Sequence, residues 1–314
     1  MIDTRPHLAS LILTLLIAAS ICGSTPGRTE AQSQPSAAPP LEYLGAWGVK
    51  GERPGQLSEP VSISTDTIGN VYLADAGSRF VHKFSPQGKP LLSFQEEPLK
   101  HPGWITIDRG GAIYVADPVR NSVFIFNPDG EHYRELRLHS RATKENTLSV
   151  AVGWDGLINV LDSNALKIFT FTPRFRLVQS FYPPRDSTGH ASDPGPIQIG
   201  PDGALYVANA TVGTIMKFTR EGHLMLEIGG RAQGAGRKLS ERFAVGSNFL
   251  YVMDVNGRML HVLTLDGAPK LDVDLAPELG QAARPAPELA VSPRGELLVL
   301  DTPGNRVLRY HINF

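Results

Sequence analysis

The sequence predicts an all-β fold, a six-bladed β-propeller made of four-stranded antiparallel blades. Three observations predict it: a short polar residue recurs six times at intervals of 42 to 47 residues, strands with period-two alternation surround it, and turn-forming residues separate the strands. Units of about 40 to 50 residues with four strands each are typical of propeller blades. We call the recurring residues the marker residues; they are Asp75, Asp117, Asp162, Asn209, Asp254 and Asp301.

Each marker residue ends a predicted second strand. Apolar residues stand two and four positions before every marker, and six positions before it stands glycine, or Asn248 in the fifth unit. Glycine and asparagine tolerate the left-handed backbone of hairpin turns, so a first strand must precede each turn. That strand has an apolar residue twelve positions before the marker in five units, and Arg242 in the fifth. A third strand follows each marker, and a glycine turn into a fourth strand follows it in four units.

The sixth unit ends after its third strand, and residues 42–48 are predicted to supply its fourth. Leu44 precedes Leu57 by the same 13 positions that separate Leu226, in the fourth strand of the fourth unit, from Leu239. Pairing residues 42–48 with 306–312 closes the ring and removes two exposed sheet edges. The predicted propeller therefore spans residues 42–314, and we expect it to be monomeric.

Three segments of the first unit carry a resemblance to a known family. Residues 60–63 (PVSI), 69–75 (GNVYLAD) and 81–88 (VHKFSPQG) resemble an NHL repeat, and residues 99–130 and 201–222 show the same resemblance. The resemblance covers residues 42–314 and implies the six-bladed propeller. It says little about the ligand, because one fold carries many functions.

The N-terminus predicts export. Arg5, an apolar stretch at residues 8–21 and a polar region up to Ala31 are typical of a cleavable signal peptide, residues 1–31. An apolar stretch of about 14 residues is shorter than the roughly 20 needed to span a bilayer, so we expect no transmembrane anchor in the mature chain. Cys22, the sole cysteine, follows Ile21 where a lipobox has a small residue, which disfavours lipoprotein anchoring. Residues 32–41, rich in Pro, Ser, Ala and Gln, are predicted to be a flexible linker, and the mature protein to be secreted or periplasmic.

Charge and motifs limit the function. The formal net charge of -1 lacks the basic excess typical of nucleic-acid binding. The sequence contains no Gly-x-Ser-x-Gly, Walker A or His-Glu-x-x-His pattern, so no catalytic residue, metal ligand or cofactor is assigned. We expect a binding or scaffold module for a protein, a glycan or a small anionic ligand rather than an enzyme.

The predicted binding surface is one end of the propeller. In propellers of this family, the loops between second and third strands share one face with the loops that lead into the next blade, and we call it the mouth face. Five units have a cation three to five residues after the marker, and tryptophans nearby offer stacking platforms. The candidate ligand-binding residues are Trp47, Arg53, Arg79, Trp104, Arg120, Lys167, Arg231, Arg258 and Arg306. Alternatively, these cations pair with the marker carboxylates and brace the turns.

Two other interpretations concern metals. The marker carboxylates have the chemistry of calcium ligands, but their even spacing favours hydrogen bonds within their own turns. The alternative function is a metal-dependent hydrolase or lyase, lactonase-like or amidating-lyase-like, that acts on a small ester, lactone or amide with calcium or zinc. The amidating lyases have zinc-binding histidines directly after the blade-opening proline, where this chain has Val61 and Gly103. The Pro-Asn-Gly stretch of the lactonase-like propellers is missing from the sequence.

Overall fold

The predicted units fold into six four-stranded antiparallel sheets arranged as a six-bladed propeller in this computed structural model. The structure describes residues 40–97, 99–139, 147–184, 194–230, 239–280 and 286–313. The predicted signal peptide and nearly all of the predicted linker lie outside these ranges, and the first strand begins at Leu41.

The strands are numbered in chain order, and the first, β1, is Leu41–Trp47. Blade 1 consists of β2 (Pro60–Thr65), β3 (Val71–Asp75), β4 (Val81–Phe84) and β5 (Pro90–Phe94). Blade 2 consists of β6 (Ile105–Ile107), β7 (Ile113–Asp117), β8 (Ser122–Phe126) and β9 (His132–Arg137). Blade 3 consists of β10 (Leu148–Val152), β11 (Ile158–Asp162), β12 (Lys167–Phe171) and β13 (Leu177–Phe181).

The second half of the ring repeats this order. Blade 4 consists of β14 (Pro194–Ile199), β15 (Leu205–Asn209), β16 (Thr214–Phe218) and β17 (Leu224–Gly229). Blade 5 consists of β18 (Leu239–Val245), β19 (Phe249–Asp254), β20 (Met259–Thr264) and β21 (Pro269–Asp274), followed by a one-turn helix α1 (Ala276–Leu279). Blade 6 consists of β22 (Glu288–Val291), β23 (Leu297–Asp301), β24 (Arg306–Ile312) and β1.

The hydrophobic core lies between the blades. Because side chains alternate across a strand, each second strand contributes to two neighbouring clusters. In β3, Leu73 packs with residues of blade 6, whereas Tyr72 and Ala74 pack with residues of blade 2. Burying one such aliphatic side chain stabilises the fold by about 1.5–3 kcal/mol. No blade can bury both of its faces alone, so the stability of each depends on both neighbours.

The ring closes as predicted. Strand β1 pairs antiparallel with β24, from Leu41 opposite Ile312 to Trp47 opposite Val307. The order β1-β24-β23-β22 gives blade 6 its four strands, and β24 is paired on both sides. A bulge between Tyr43 and Gly45 is the one irregularity in this pairing.

Trp47 takes part in a contact that recurs around the ring. Its indole lies 4.7 Å from the Phe84 ring of the next blade, and the turn glycine Gly88 lies directly against it. We call this arrangement the aromatic joint: an aromatic of a fourth strand, an aromatic ending the next blade's third strand, and the glycine after it. The same joint is formed by Phe94, Phe126 and Gly130, and by Phe181, Phe218 and Gly222.

Blade 5 differs from the sequence-based alignment by one residue. Phe243, rather than Arg242, faces Val252 across the sheet, as Ile63 faces Leu73 in blade 1. The reason is the hairpin turn, which contains four residues between Val245 and Leu250 and five in the other blades. Placing Arg242 in the apolar register was therefore wrong, and the fifth blade has a buried aromatic there.

We predict that Gly88→Ala destabilises the protein much more than Gly295→Ala. Both glycines have positive φ, +84° and +78°, so alanine carries a backbone penalty of about 1 kcal/mol at either site. An added Cβ at Gly88 overlaps the Trp47 ring, whereas one at Gly295 meets no atom within 4 Å. Overpacking adds about 2 kcal/mol at Gly88 alone. Urea unfolding checks this, and equal losses in the two variants would contradict the role given to the aromatic joint.

Candidate functional site

The marker carboxylates bind backbone amides. Asp75 is fully buried, and it accepts hydrogen bonds from the amides of Ser58 (2.7 Å), Glu59 (2.9 Å) and Ser78 (3.0 Å). Ser58 and Glu59 lie in the loop that enters the blade, and Ser78 lies in the turn between second and third strands. A single side chain thus ties together two loops of the mouth face.

Asp117 repeats this arrangement in blade 2. One carboxylate oxygen accepts the amides of Lys100 and His101 at 2.8 and 2.9 Å, and the other accepts those of Val119 and Arg120 at 3.0 and 3.1 Å. The interpretation that marker residues brace their own turns agrees with these contacts, which also extend to the entry loop. Hydrogen bonds to a charged carboxylate contribute about 1.5–3 kcal/mol each.

The predicted cations have different partners. Arg306 donates from Nε to its own marker, Asp301, at 2.7 Å. Arg258 is paired instead with Asp274 at the end of the fourth strand, which raises the pKa of the guanidinium and lowers that of the Asp274 carboxyl. The Lys167 ammonium lies 4.6 Å from the centre of the Tyr182 ring. Pairing with the marker therefore describes Arg306 but not Arg258.

Arg79 and Arg120 are exposed, and they flank a shared acidic residue in neighbouring blades. Glu97 binds Lys100, Oε2 to Nζ, at 2.9 Å. Lys100 lowers the pKa of the Glu97 carboxyl most, and the charges of Arg120 and Arg79 lower it further. Arg79, Lys100 and Arg120 therefore lie around Glu97, and we call these three residues the cation cluster; the charge of Arg120 also acts on Glu135 of blade 2.

Arg79 also has an unusual backbone conformation. Its φ is +62°, in the left-handed region that favours glycine and asparagine. The position four residues after the marker has positive φ in four other blades, where the residue is Asn121, Leu166, Gly213 and Asn305. Arginine occupies it in blade 1 at a backbone penalty of about 1–2 kcal/mol.

The remaining candidate residues are scattered. Trp47 is partly buried in the aromatic joint, so its ring is already in contact with Phe84. Arg53 is exposed in the loop before β2. Trp104 packs against the core cluster of blades 2 and 3 and lines the central channel. Arg231 lies outside the described residues.

One ion pair between two first strands was not predicted. Arg242 of β18 and Glu288 of β22 form a salt bridge between neighbouring first strands, and Glu288 is 3% exposed. Burial lowers the pKa of the Arg242 guanidinium. The shorter turn of blade 5 puts Arg242 in the register that Ser62 and Ser149 occupy elsewhere, so a fixed-offset alignment could not pair it with Glu288.

The first strands enclose a central channel. One part of it has a volume of about 150 Å³ and is lined by residues such as Ile63, Ile105 and Leu289. It continues into a cavity of about 290 Å³ at the turns between first and second strands, which include Asp66, Asp108 and Trp154. We call this end the opposite face.

Two tyrosines stabilise the cavity wall. Tyr72 donates a hydrogen bond to Asp66 (3.2 Å) and Tyr114 donates one to Asp108 (3.3 Å). Burial, followed by the charge of the neighbouring aspartate, raises the pKa of both hydroxyls. Both tyrosines therefore stay protonated and remain donors to the aspartates.

Two further features of the described residues concern metals and membranes. No three His, Cys, Asp or Glu side chains in the described ranges are grouped as metal ligands would be. Among the same residues, no helix has the length and apolar character needed to cross a membrane.

Solved structures share this fold at low sequence identity. A streptogramin B lyase superposes with a TM-score of 0.63 at 14% identity, covering 86% of this chain and 98% of that one. A catalytically inactive virginiamycin B lyase from Staphylococcus aureus, solved with quinupristin, has a TM-score of 0.60 at 16% identity, covering 86% and 84%. The β-propeller domain of Myceliophteria thermophila Cps50 (Swd1) has a TM-score of 0.60 at 10% identity, covering 87% and 100%. No family model and no curated protein matches the sequence.

His82 is a buried titratable group beside the marker of blade 1. Its Nδ1 lies 2.8 Å from Ser93 Oγ, and its Nε2 lies 3.9 Å from Asp75 Oδ2 without a hydrogen-bond partner among the described residues. Burial lowers the pKa of the imidazole to about 4, although Asp75 opposes this effect. His82 is therefore neutral in the folded protein at pH 7.

We predict that His82→Phe reduces the acid sensitivity of the protein. Between pH 6.5 and 4 the unfolded chain protonates His82 and the folded chain does not, so stability falls as the pH is lowered through this range. The loss from this residue between pH 7 and 4.5 is about 2 kcal/mol. Phe124 occupies the equivalent position in blade 2, so the fold accepts the ring.

Urea unfolding at both pH values measures this difference. The control is His311→Phe, which makes the same substitution at an exposed histidine. If His82→Phe and the wild type lose the same stability on acidification, His82 is not a source of the acid sensitivity.

Proposed function

We propose that the chain is an exported propeller of the NHL-repeat kind that acts as a binding module, and that its mouth face binds an acidic segment of a partner protein. The observation that carries the proposal is that the carboxylates of Asp75 and Asp117 already accept hydrogen bonds from several backbone amides. Because these carboxylates are occupied, Arg79 and Arg120 remain exposed for a ligand.

The chemistry of the cation cluster supports an acidic ligand. An arginine guanidinium matches a carboxylate in two parallel hydrogen bonds, and two of the three cations are arginines. Lys100 is 43% exposed, so a ligand carboxylate can displace Glu97 from it. Interactions of this type favour association and specificity, and they weaken with salt.

The backbone conformation of Arg79 gives independent support. A left-handed arginine is less stable there than asparagine or glycine, the residues that blades 2, 4 and 6 have at this position. Strained residues persist where their side chains are required, and they cluster at binding sites.

Charge reversal tests the proposal. We expect a fluorescent deca-glutamate peptide to bind the mature protein at about 50 mM salt and to bind several-fold more weakly at about 300 mM. The double variant Arg79→Glu/Arg120→Glu should lose about tenfold or more in affinity. The control Arg174→Glu/Arg294→Glu makes the same charge change at two exposed arginines in turns at the opposite face, and it should bind like the wild type. Absence of binding to the wild type, or equal losses in both variants, refutes the proposal.

A second comparison separates binding from stability. We predict that Arg79→Asn and Leu166→Asn each stabilise the protein by about 1 kcal/mol, since asparagine tolerates the left-handed backbone that both residues adopt. Only Arg79→Asn should weaken binding of the peptide. Urea unfolding and fluorescence anisotropy of the same samples measure both effects. A stabilised Arg79→Asn variant with unchanged binding would show that Arg79 has no part in recognition.

The alternative function is a metal-dependent lyase or hydrolase. The likeness to streptogramin B and virginiamycin B lyases across 86% of the chain favours it over other enzymes. Two measurements decide: elemental analysis after dialysis, and incubation with quinupristin followed by mass spectrometry. If the protein holds a stoichiometric divalent metal such as calcium or zinc and converts quinupristin, it is an enzyme. If neither result is obtained, the binding module remains the proposed function.

A further inference from the structure

We propose a second binding site, in the cavity on the opposite face, that takes a neutral sugar residue of a glycan. The site is separate from the cation cluster, because it lies at the turns between first and second strands. Its volume of about 290 Å³ is close to the lower limit for small-molecule pockets, which suits one sugar ring.

The turns around this cavity differ at one position. The second residue of each turn is, in blade order, Thr67, Arg109, Trp154, Pro201, Ser247 and Pro293. The backbone of these turns is held by other side chains: Asp66 and Asp108 accept amides in blades 1 and 2, and Asp155 accepts the Leu157 amide in blade 3. Thr67, Arg109 and Trp154 are therefore not needed to form the turns, and they stand together on one side of the opening.

Trp154 is the one strongly exposed tryptophan among the three in the chain. Its side chain is 64% exposed, whereas Trp47 and Trp104 are partly buried in contacts between blades. The indole lies between the cavity and a smaller groove lined by Asp155 and Arg220. The Arg109 guanidinium lies over one face of the indole, 5.6 Å from the ring centre. The C–H face of a pyranose ring stacks on a flat aromatic surface such as the other face.

The polar groups of the cavity suit a hydroxyl-rich ligand without negative charge. The hydroxyl groups of Thr67 and Thr106 line it, and each can both donate and accept. Asp108 Oδ2 accepts one long hydrogen bond, from Tyr114 at 3.3 Å among the described contacts, and retains capacity for a ligand hydroxyl. Asp66 and Asp108 outnumber Arg109 among the charged residues that line the cavity, so the cavity disfavours an anionic ligand. A wholly apolar ligand would leave these groups without partners.

The experiment titrates the mature protein with maltohexaose, cellohexaose and chitohexaose and records tryptophan fluorescence and calorimetric heats. We expect at least one oligosaccharide to bind and to shift the emission of the exposed Trp154 to shorter wavelength. Trp154→Ala should weaken binding about tenfold or more and abolish the shift. Trp154→Phe, which keeps an aromatic face, should restore part of the affinity. Thr106→Val should weaken binding about threefold and keep the shift, since it removes one hydrogen bond.

The matched control is Tyr182→Ala. Tyr182 is 65% exposed and follows the fourth strand of blade 3 at its mouth-face end, beside Lys167, so its removal should leave sugar binding on the opposite face unchanged. The proposal is overturned if none of the three oligosaccharides binds, or if Trp154→Ala and Tyr182→Ala behave alike. It is also overturned if sugar binding is lost in Arg79→Glu/Arg120→Glu but kept in Trp154→Ala. Deca-glutamate binding is independent of these outcomes, so the two proposals fail separately.

Discussion

The aromatic joint is a packing constraint at three of the six junctions between blades, those of blades 6 and 1, 1 and 2, and 3 and 4. Each blade is a twisted sheet with two apolar faces, so it is stable only between two neighbours. The joint fixes the spacing between neighbours at their outer edge, where a fourth-strand aromatic meets a glycine that has no side chain. Trp47 extends this arrangement to the junction of blades 6 and 1, where the partner strand comes from the other end of the described chain. The junction that closes the ring is therefore packed in the same way as the junctions at Phe94 and Phe181.

Repeated and unrepeated residues have different tasks in this protein. Marker carboxylates such as Asp75 and Asp117 recur because each blade must bind the amides of its loops on the mouth face. Residues that do not bind these amides through their side chains can differ between blades. They include Arg79 and Arg120 on the mouth face, and Arg109 and Trp154 on the opposite face. Both proposed sites lie on blades 1 to 3, so the chemical asymmetry of the propeller is concentrated in one half of the ring.

The fold was predictable from the sequence because it rests on periodicity. Six markers, their alternating neighbours and the matching leucine spacings determined the blades and the closing strand, and the structure agrees with each. Arg242 was misplaced because a turn one residue shorter than the others shifts the register without changing the composition. The contact of Trp47 with Phe84 was not predicted, because the equivalence of Trp47 to Phe94 appears only when the blades lie side by side. The cavity residues Arg109 and Trp154 are 45 positions apart in the sequence, and only the ring brings them into contact.

The pairing of β1 with β24 has a consequence for how the chain folds. Blades 1 to 5 consist of local hairpins, whereas blade 6 needs two segments from opposite ends of the described chain. The entropy of closing a loop grows only logarithmically with its length, so closure is thermodynamically inexpensive but late compared with hairpin formation. Until closure occurs, β1 and one edge of β24 are unpaired and have complementary registers. The β1 strand of a second molecule can then pair with β24 as well as the β1 strand of the same molecule does. The same seven-residue strand that completes the monomer thus defines a route to strand-exchanged oligomers, and protein concentration during folding decides between the two.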